Sequence, residues 1–546
     1  MSPQPPIRLA RSCGQGQGAL PLGPASRDVT DGVTHAETLC DPVDSSTTLL
    51  HRNVTANILS NIWSLMIGFF AIPLYLRVVG IEGYGLVGFY ASLAAIARLL
   101  DAGLSPAFSR ELARSQGRST TTNRDLLRSL ETIAWSVSFV IAVGIGVCAG
   151  WIAGHWLSSH SEGGQIGRVL AIMGVVVGLQ FPLTLYTSGL IGLEQQVVIG
   201  ILNAVWATAR AIGALLVLWF VSPTITAYFG WQAVVMLGAV TVTACVLRRQ
   251  PALRGTEKPR FSWDRVRSVR RLAAGLGGIS VLSVAVTQTD KLILARILPL
   301  RSYGYYMLAS VVASGLYVVI VPIQIGVYPG LVKLVALGDA QKLAEAYHHG
   351  CQLLTVLLVP AAAVIACFSP DILRIWTGDP EVVRNAGACL TLLAIGTALN
   401  GFIVLPSELQ VAHGWTRLHF NMHLVVLLIL IPATVVITPR FGPLGAAANW
   451  FGVNVLFLTM EVVLMHRRVL VRELRAWCVE DVLLPSAAAV LVVLVAKAAV
   501  HLNSNRVADT LVLLGVWAGA LLASAALTRI GRRWAAAHVL RLVQPV

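Results

Sequence analysis

The feature that most constrains the fold is a series of about fourteen apolar segments, each long enough to cross a bilayer as a helix. Such segments are helical because lipid offers the backbone no hydrogen-bond partners. The sequence therefore predicts an all-α integral membrane protein. The predicted spans lie at 54–76, 84–106, 132–154, 166–190, 197–220, 229–247, 272–295, 304–327, 350–369, 386–407, 418–437, 442–465, 482–502 and 508–528.

Composition agrees with a membrane location. Hydrophobic residues make up 56% of the chain and charged residues 12%, with a net charge of +15. The basic residues are scattered between apolar segments, which argues against nucleic-acid binding and favours a topological role. The cysteines show no C-x-x-C spacing, and we interpret them as small buried hydrophobic residues.

The positions of Lys and Arg predict the orientation. With a cytoplasmic N-terminus, the inside loops hold roughly three times as many basic residues as the outside loops, so both termini are predicted to be cytoplasmic. The richest loop, 248–271, also has the charge to hold anionic lipid headgroups. Residues 1–48 are polar and rich in turn-forming residues, and they are predicted to be a disordered cytoplasmic tail.

A weak internal repeat divides the chain. Tyr84 and Gly85 recur as Tyr303 and Gly304, 219 positions later, each between two apolar segments. Repeated halves are typical of transporters, although aromatic–glycine pairs also occur at membrane interfaces by chance. The repeat predicts six-helix lobes at 49–247 and 272–466, joined by the basic loop 248–271 and followed by two extra helices and a basic tail at 467–546.

Charged residues inside apolar segments are costly and are therefore functional candidates. Arg98 and Asp101 are three residues apart on the predicted second helix, so they share a face and can pair. Their repeat counterparts, Tyr317 and Ile320, lack this pair, which favours a cavity role over a self-satisfied pair or a snorkelling arginine. Arg210 is a candidate to bind phosphate; a hydrogen-bonded packing role is the alternative.

A second candidate site lies near the outer end of the predicted seventh helix. Asp290 and Lys291 are coupling or gating candidates, with snorkelling of Lys291 as the alternative. Because adjacent helical residues point about 100° apart, we do not expect them to pair simply. Glu461 and Lys497 are predicted to be interfacial. The chain has neither a P-loop nor a zinc-protease motif, so we expect no cofactor, and a proton or sodium gradient is the candidate driving force.

Four stretches resemble a known family. They are Asn57-Ile-Leu-Ser-Asn61, IPLYLRVVGIEGYGLVGFY at 72–90, DAGLSPAFSRELAR at 101–114 and RFGPLGAAAN at 440–449. They look like the polysaccharide transporter family, the Wzx-type O-antigen and exopolysaccharide flippases of the multidrug/oligosaccharidyl-lipid/polysaccharide exporter superfamily. The resemblance covers most of residues 54–470 and consists of small and aromatic residues, so it carries no site residue over to this chain.

The resemblance implies a transporter rather than an enzyme, located in the bacterial inner membrane. The implied substrate is undecaprenyl-pyrophosphate-linked oligosaccharide, moved from the cytoplasmic to the periplasmic leaflet by alternating access. Membrane lipids, a polysaccharide polymerase and a chain-length regulator are the implied partners. A drug/cation antiporter or a peptidoglycan-precursor flippase of the same superfamily is the alternative. A membrane-embedded glycan polymerase or glycosyltransferase is disfavoured, because the sequence has no long outside loop and no acidic metal site.

Overall fold

The computed structural model describes residues 42–101, 103–114, 120–157, 163–255, 259–264, 266–267, 284, 287–500, 502, 505–528 and 531, and within them the side chains except at 42–56, 58, 99–100, 120, 163, 416 and 419. The chain divides into two compact units, Met1–His51 and Arg52–Val546. Of the predicted disordered tail, 1–41 lie outside the described residues, whereas 42–48 are helical. Pro42 suits the first turn of a helix, and no further proline or glycine interrupts 43–53.

Every described regular element is helical. The helices are α1 (Pro42–Leu100), α2 (Leu104–Arg114), α3 (Thr120–His155), α4 (Gly163–Gly192), α5 (Gln196–Phe220), α6 (Ile225–Arg248), α7 (287–297), α8 (Leu300–Ser314), α9 (Tyr317–Leu337), α10 (Ala340–Cys367), α11 (Ser369–Thr377), α12 (Pro380–Ala412), α13 (Thr416–His466), α14 (Leu474–Ala476), α15 (Leu484–Ala499) and α16 (Arg506–Leu527). A short 3₁₀ helix follows α6 at Pro251–Leu253, and a π-helical stretch, Trp477–Leu483, joins α14 to α15.

Eleven helices in the described part of the chain are long and apolar enough to cross a membrane. Two of them are each a pair of helices merged across a kink, α1 at Gly80 and α13 at Gly442, where the backbone takes φ values of 71° and 58°. Left-handed backbone of this kind favours glycine because a side chain would be strained. Most of the predicted seventh span, 272–295, lies outside the described residues. These helices confirm the predicted all-α membrane fold with about fourteen spans.

The first half of the bundle, α1–α6, contacts the second half, α7–α13, through the repeated Tyr-Gly motif. A methyl group on Gly85 would lie 2.8 Å from the carbonyl oxygen of Leu300, and one on Gly304 would meet the carbonyl oxygen of Ile81 at still closer range. Ile81 and Leu300 are separated by the same 219 positions as Gly85 and Gly304. The two halves therefore make reciprocal contacts, as two repeats related by a pseudo-two-fold axis should.

The hydrophobic core is arranged differently at the two ends of the bundle. At the end that contains Tyr84 and Tyr303, called the joined end below, buried residues of both halves form one cluster. At the opposite end, called the separate end, the first half has its own cluster around Phe108 and Leu247, and the second half has another around Tyr347 and Leu409. The halves therefore share a core at the joined end and have their own cores at the separate end.

The last two long helices, α15 and α16, pack on α10 and share the second half's cluster. A buried polar group reinforces this contact: Gln352 donates its side-chain N–H to Asp481 Oδ1 at 2.8 Å, and His348 Nδ1 contacts the other oxygen of the same carboxylate. Asp481 lies in the π-helical stretch. A buried carboxylate with two hydrogen-bonding partners fixes the position of α15 and α16 on the rest of the bundle.

The described cysteines fall into three groups, and Cys367 and Cys478 are of intermediate exposure. Cys351 and Cys389 are buried, as predicted, whereas Cys148 and Cys245 are exposed. Both exposed cysteines lie within long apolar helices. The prediction that they are buried was wrong, because lipid accepts a small apolar side chain on the outside of a bundle.

Candidate substrate-binding site

Arg98 lies near the C-terminal end of α1. Between Tyr84 and Arg98, only Ala91 and Arg98 are exposed, and these two residues are seven positions apart and share one helix face. This part of α1 is otherwise covered by protein and presents no broad apolar face to lipid. The exposed strip is therefore narrow, and its charge is carried by Arg98.

Arg210 occupies a comparable position on α5. The exposed apolar residues of this helix share one face, and at about 100° per residue Arg210 projects from the opposite face together with Asn203. Arg210 lines a cavity of about 90 Å³ between α4, α5 and α6. The guanidinium thus points away from the side that suits lipid. The apolar face comprises Ile201, Val205, Ile212, Leu216 and Trp219.

Tyr90 connects the two arginines. Its hydroxyl accepts a 2.9 Å hydrogen bond from Gln180 Nε2 on α4, and the guanidinium groups of Arg98 and Arg210 both act electrostatically on that hydroxyl. Gln180 also lines a small cavity together with Arg98 and Thr184. The structure therefore brings together two arginines that are more than a hundred positions apart in the sequence. We call Arg98, Arg210, Tyr90 and Gln180 the arginine site.

Neither arginine of this site has an ion-pair partner among the described residues. The guanidinium groups of Arg98 and Arg210 also make no side-chain hydrogen bond there. The backbone oxygen of Arg210 accepts from Tyr75 and Gln232, and that of Arg98 accepts from the N–H of Asp101. A cation in a membrane-spanning helix that has no ion-pair partner favours an anion as its partner. A guanidinium can bind phosphate oxygens through two parallel hydrogen bonds. The arginine site is therefore chemically suited to a phosphate or pyrophosphate group.

Asp101 does not pair with Arg98, so that part of the sequence prediction was wrong. The Asp101 carboxylate accepts hydrogen bonds from Ser105, at 2.6 Å from Oγ and 3.3 Å from the backbone N–H. Helix α1 ends at Leu100 instead of continuing to 106, and Gly103 takes a φ of 120° before α2 begins. Asp101 consequently stabilises the first turn of α2, and it lines the same small cavity as Arg98 without forming an ion pair with it.

Asp290 and Lys291 contact each other, in contrast to the prediction that neighbouring residues would not simply pair. Lys291 Nζ lies 3.5 Å from Asp290 Oδ1 and donates to the Thr287 carbonyl oxygen at 2.6 Å. The long lysine side chain folds back along α7, which brings its end to both oxygens. Tyr306 donates to the other carboxylate oxygen of Asp290 at 3.1 Å. Lys291 is thus held inside the second half and does not snorkel outward.

The Asp290–Lys291 pair lies beside a contact between the two halves. Trp156, at the end of α3, donates its indole N–H to the carbonyl oxygen of Leu292 at 3.3 Å. The pair also lines a cavity of about 180 Å³ together with Tyr317. The charge pair therefore lies next to a residue that joins the two halves.

A chain of neutral polar side chains runs through the second half. Tyr317 donates to Asn400 Oδ1 at 2.9 Å, and Asn400 Nδ2 donates to Asn454 Oδ1 at 2.9 Å. Tyr317 is the repeat counterpart of Arg98. Equivalent positions therefore carry a cation in the first half and a neutral hydroxyl in the second.

Sequence reasoning missed the two asparagines. The search relied on charged residues inside apolar segments, and neutral amides do not meet that criterion. A search for any amide inside a predicted span would have found both, since Asn400 and Asn454 lie within 386–407 and 442–465. Two further polar contacts of this half join Gln324 to Glu408 at 2.5 Å and Ser407 to Glu461 at 2.7 Å.

Glu461 is fully buried, so its predicted interfacial position was wrong. Its Oε1 accepts hydrogen bonds from Ser407 and Gln410. Lys497, also predicted to be interfacial, is partly exposed and pairs with Asp371 at 2.8 Å. The difference arises because α12 covers Glu461 on α13, whereas Lys497 lies in the last turn of α15.

Comparison with known proteins places this architecture in a family. The family model described as polysaccharide biosynthesis protein matches residues 50–335, and the MatE model matches residues 278–436. The chain belongs to the polysaccharide biosynthesis protein family. This confirms the resemblance inferred from the sequence motifs. Members of this superfamily are multi-pass membrane transporters, in keeping with the described helices.

One curated relative and two solved structures define the likeness further. The protein named "Putative O-antigen transporter" from Shigella flexneri is 20% identical over 381 residues, which cover 68% of this chain and 87% of the relative. Lipid II flippase MurJ in an inward closed conformation superposes with a TM-score of 0.64 at 12% identity, covering 85% of this chain and 97% of MurJ. An inward-facing MATE family multidrug transporter superposes with a TM-score of 0.61 at 13% identity, covering 78% of this chain and 98% of the transporter. At these identities, the two structures support the fold alone.

Proposed function

We propose that this protein is a flippase that moves undecaprenyl-pyrophosphate-linked oligosaccharide from the cytoplasmic to the periplasmic leaflet of the bacterial inner membrane. The observation that carries the proposal is the arginine site, where Arg98 and Arg210 flank Tyr90 and have no acidic partner among the described residues. A pyrophosphate supplies two negative groups, and each charge-assisted hydrogen bond to it contributes about 1.5–3 kcal/mol. Arg98 and Arg210 are the proposed pyrophosphate ligands.

The second half supplies a different chemistry. Tyr317, Asn400 and Asn454 form a hydrogen-bonded chain of hydroxyl and amide groups, which can exchange its bonds for bonds to sugar hydroxyls. In this proposal, the pyrophosphate binds to the first half and the glycan extends towards the second. The division follows the repeat, since Tyr317 replaces Arg98 at the equivalent position.

Transport proceeds by alternating access in this proposal. The shared core at the joined end closes one side of the bundle, and the separate cores leave the other side free to admit substrate. The distribution of Lys and Arg assigns the separate end to the cytoplasm, with both termini on that side. The described arrangement is then the state that receives substrate from the cytoplasmic leaflet. Asp290 and Lys291, beside the inter-half contact of Leu292, are the proposed coupling pair for a proton or sodium gradient.

Two other functions of the superfamily need comparison. A drug/cation antiporter requires acidic groups facing its cavity, whereas the arginine site is cationic. A peptidoglycan-precursor flippase also binds a pyrophosphate, but the match to the polysaccharide biosynthesis model favours surface polysaccharide. A polysaccharide polymerase and a chain-length regulator are the proposed downstream partners.

Deletion of the gene in its native host tests this proposal against both alternatives. We expect loss of surface polysaccharide, accumulation of lipid-linked glycan in the cytoplasmic leaflet and unchanged sensitivity to cationic dyes. Restoration by the wild-type gene, but not by a gene encoding Arg98→Gln together with Arg210→Gln, would tie the phenotype to the arginine site. Unchanged surface polysaccharide combined with increased dye sensitivity would contradict the proposal and favour the antiporter.

A further inference from the structure

A second cationic cavity lies away from the arginine site, where α3, α6 and the basic loop meet. Its volume is about 320 Å³. Four arginines line it, and among the described residues of its lining Glu131 is the only acidic one. The arginines are Arg124 and Arg128 on α3, Arg248 at the end of α6, and Arg254 in the loop.

A buried carboxylate organises this cavity. Glu131 has a side-chain exposure of only 6%, and its Oε1 accepts a 2.7 Å hydrogen bond from Arg248 Nη2. Arg128 Nη1 lies 4.0 Å from the other carboxylate oxygen. The two guanidiniums nevertheless keep side-chain exposures of 55% and 56%, so their remaining N–H groups are free to bind another anion. One carboxylate therefore positions two arginines without using all their donors.

The loop is held against α3 by its own backbone. The N–H of Arg260 donates to Asp125 Oδ1 at 2.7 Å, and the N–H of Ser262 donates to Ser129 Oγ at 2.9 Å. Arg254 itself donates its Nε–H to the carbonyl oxygen of Arg249 at 2.8 Å. Cations from three elements therefore line the cavity: the start of α3, the end of α6 and the basic loop.

An apolar groove continues from this cavity along α3. Arg128, Glu131 and Arg248 line both, and the groove has a volume of about 550 Å³. Beyond the arginines, its lining includes Phe139 and Val140, which are 69% and 68% exposed. Both are exposed apolar side chains on a helix that is long and apolar enough to cross a membrane. The polar and apolar parts of one phospholipid, a phosphate and an acyl chain, match this pair of surfaces.

We propose that this cavity binds the phosphate of an anionic phospholipid, whose acyl chain lies in the groove along Phe139 and Val140. In the predicted orientation, the bound lipid belongs to the cytoplasmic leaflet. This lipid site is separate from the arginine site, whose arginines lie on α1 and α5. The lipid bridges α3, α6 and the loop that leads to the second half.

Native mass spectrometry of the full-length protein in detergent tests this proposal. The probes are phosphatidylglycerol, phosphatidylethanolamine and inorganic phosphate, each titrated separately. We expect saturable binding of phosphatidylglycerol and much weaker binding of phosphatidylethanolamine. Each basic residue near a membrane surface strengthens binding of anionic lipid by roughly fivefold, so Arg254→Gln should weaken it about fivefold and Arg128→Gln with Arg248→Gln about thirtyfold.

The matched control is Arg467→Gln with Arg475→Gln, which removes two exposed arginines elsewhere and should change the affinity less than twofold. Because the Arg128/Arg248 variant leaves Glu131 unpaired, Arg254→Gln serves as the variant that keeps the buried ion pair intact. The proposal is overturned if Arg254→Gln binds phosphatidylglycerol like wild type, or if the two phospholipids bind equally. Competition by inorganic phosphate at the same concentration as the lipid would also overturn it, because the acyl groove would then contribute nothing. None of these readouts involves the glycan carrier, so they do not depend on the proposed function.

Discussion

Gly304 is the position at which a single methyl group should change the conformational equilibrium. In the described arrangement, a Cβ at Gly304 meets the backbone carbonyl oxygen of Ile81, which cannot move aside as a flexible side chain would. Overpacking of this kind costs typically about 1–3 kcal/mol. The cost applies only while the joined end is closed. Gly304→Ala should therefore shift the ratio of open to closed joined ends by roughly 5- to 150-fold.

Cysteine labelling measures this shift directly. Leu300 is 5% exposed and contacts Gly85 across the joined end, so a cysteine in its place reports on opening there. The assay compares the rate at which a maleimide modifies Leu300→Cys with and without Gly304→Ala, in a chain whose native cysteines are replaced. We expect faster labelling with Gly304→Ala.

The matched control is Gly452→Ala on α13, where an added Cβ meets no atom within 4 Å. Both substitutions raise helix propensity by about the same amount, so the control removes that contribution. Equal labelling rates for Gly304→Ala and Gly452→Ala would refute the reasoning, because the closed joined end would then tolerate a side chain at Gly304.

Three further predictions concern polar groups of the second half and of its contact with the terminal helices. Asn400→Ala breaks the hydrogen-bonded chain in the proposed glycan region, so it should weaken binding of a lipid-linked glycan by roughly 2- to 10-fold. Binding of glycan-free undecaprenyl pyrophosphate should be unchanged. Equal losses of affinity for both ligands in a titration would contradict this prediction. Asp290→Asn removes the negative partner of Lys291, so gradient-driven transport in proteoliposomes should fall to the rate measured without a gradient. If transport by this variant still responds to the gradient, Asp290 takes no part in coupling. Asp481→Ala removes the carboxylate shared by His348 Nδ1 and Gln352, so it should lower the stability of the purified protein by about 1–3 kcal/mol. The measurement is the thermal midpoint of unfolding, and an unchanged midpoint would show that the buried contact contributes nothing.

The fold was largely predictable because its determinants are local. The lengths of the apolar segments predict membrane helices, and the Tyr-Gly repeat predicts that the chain contains two similar halves. What the repeat could not show is that Gly85 and Gly304 each face the backbone of the other half. That requires the packing of two segments that lie far apart in the sequence.

The candidate site was predictable only in part. Arg98 and Arg210 were identified from the cost of a charge inside an apolar segment, but their common neighbourhood at Tyr90 depends on how α1, α4 and α5 pack. The Arg98–Asp101 pairing failed because it assumed a continuous helix, although Gly103 provides a signal that the helix ends there. Asn400 was missed because a neutral amide costs less than a charge and did not stand out.

Leaflet exchange in proteoliposomes tests the central claim, that the arginine site binds the pyrophosphate of a lipid-linked glycan during its translocation. The substrate is a fluorescent undecaprenyl-pyrophosphate oligosaccharide, and a membrane-impermeant quencher reports how much of it has changed leaflet. We expect wild-type protein and Arg467→Gln to exchange the lipid at similar rates. Arg98→Gln and Arg210→Gln should each be slower by roughly 10- to 150-fold, the equivalent of one charge-assisted hydrogen-bonding group. Exchange by both arginine-site variants at the wild-type rate would contradict the account, as would a folded wild-type protein that moves no lipid-linked glycan under either a proton or a sodium gradient.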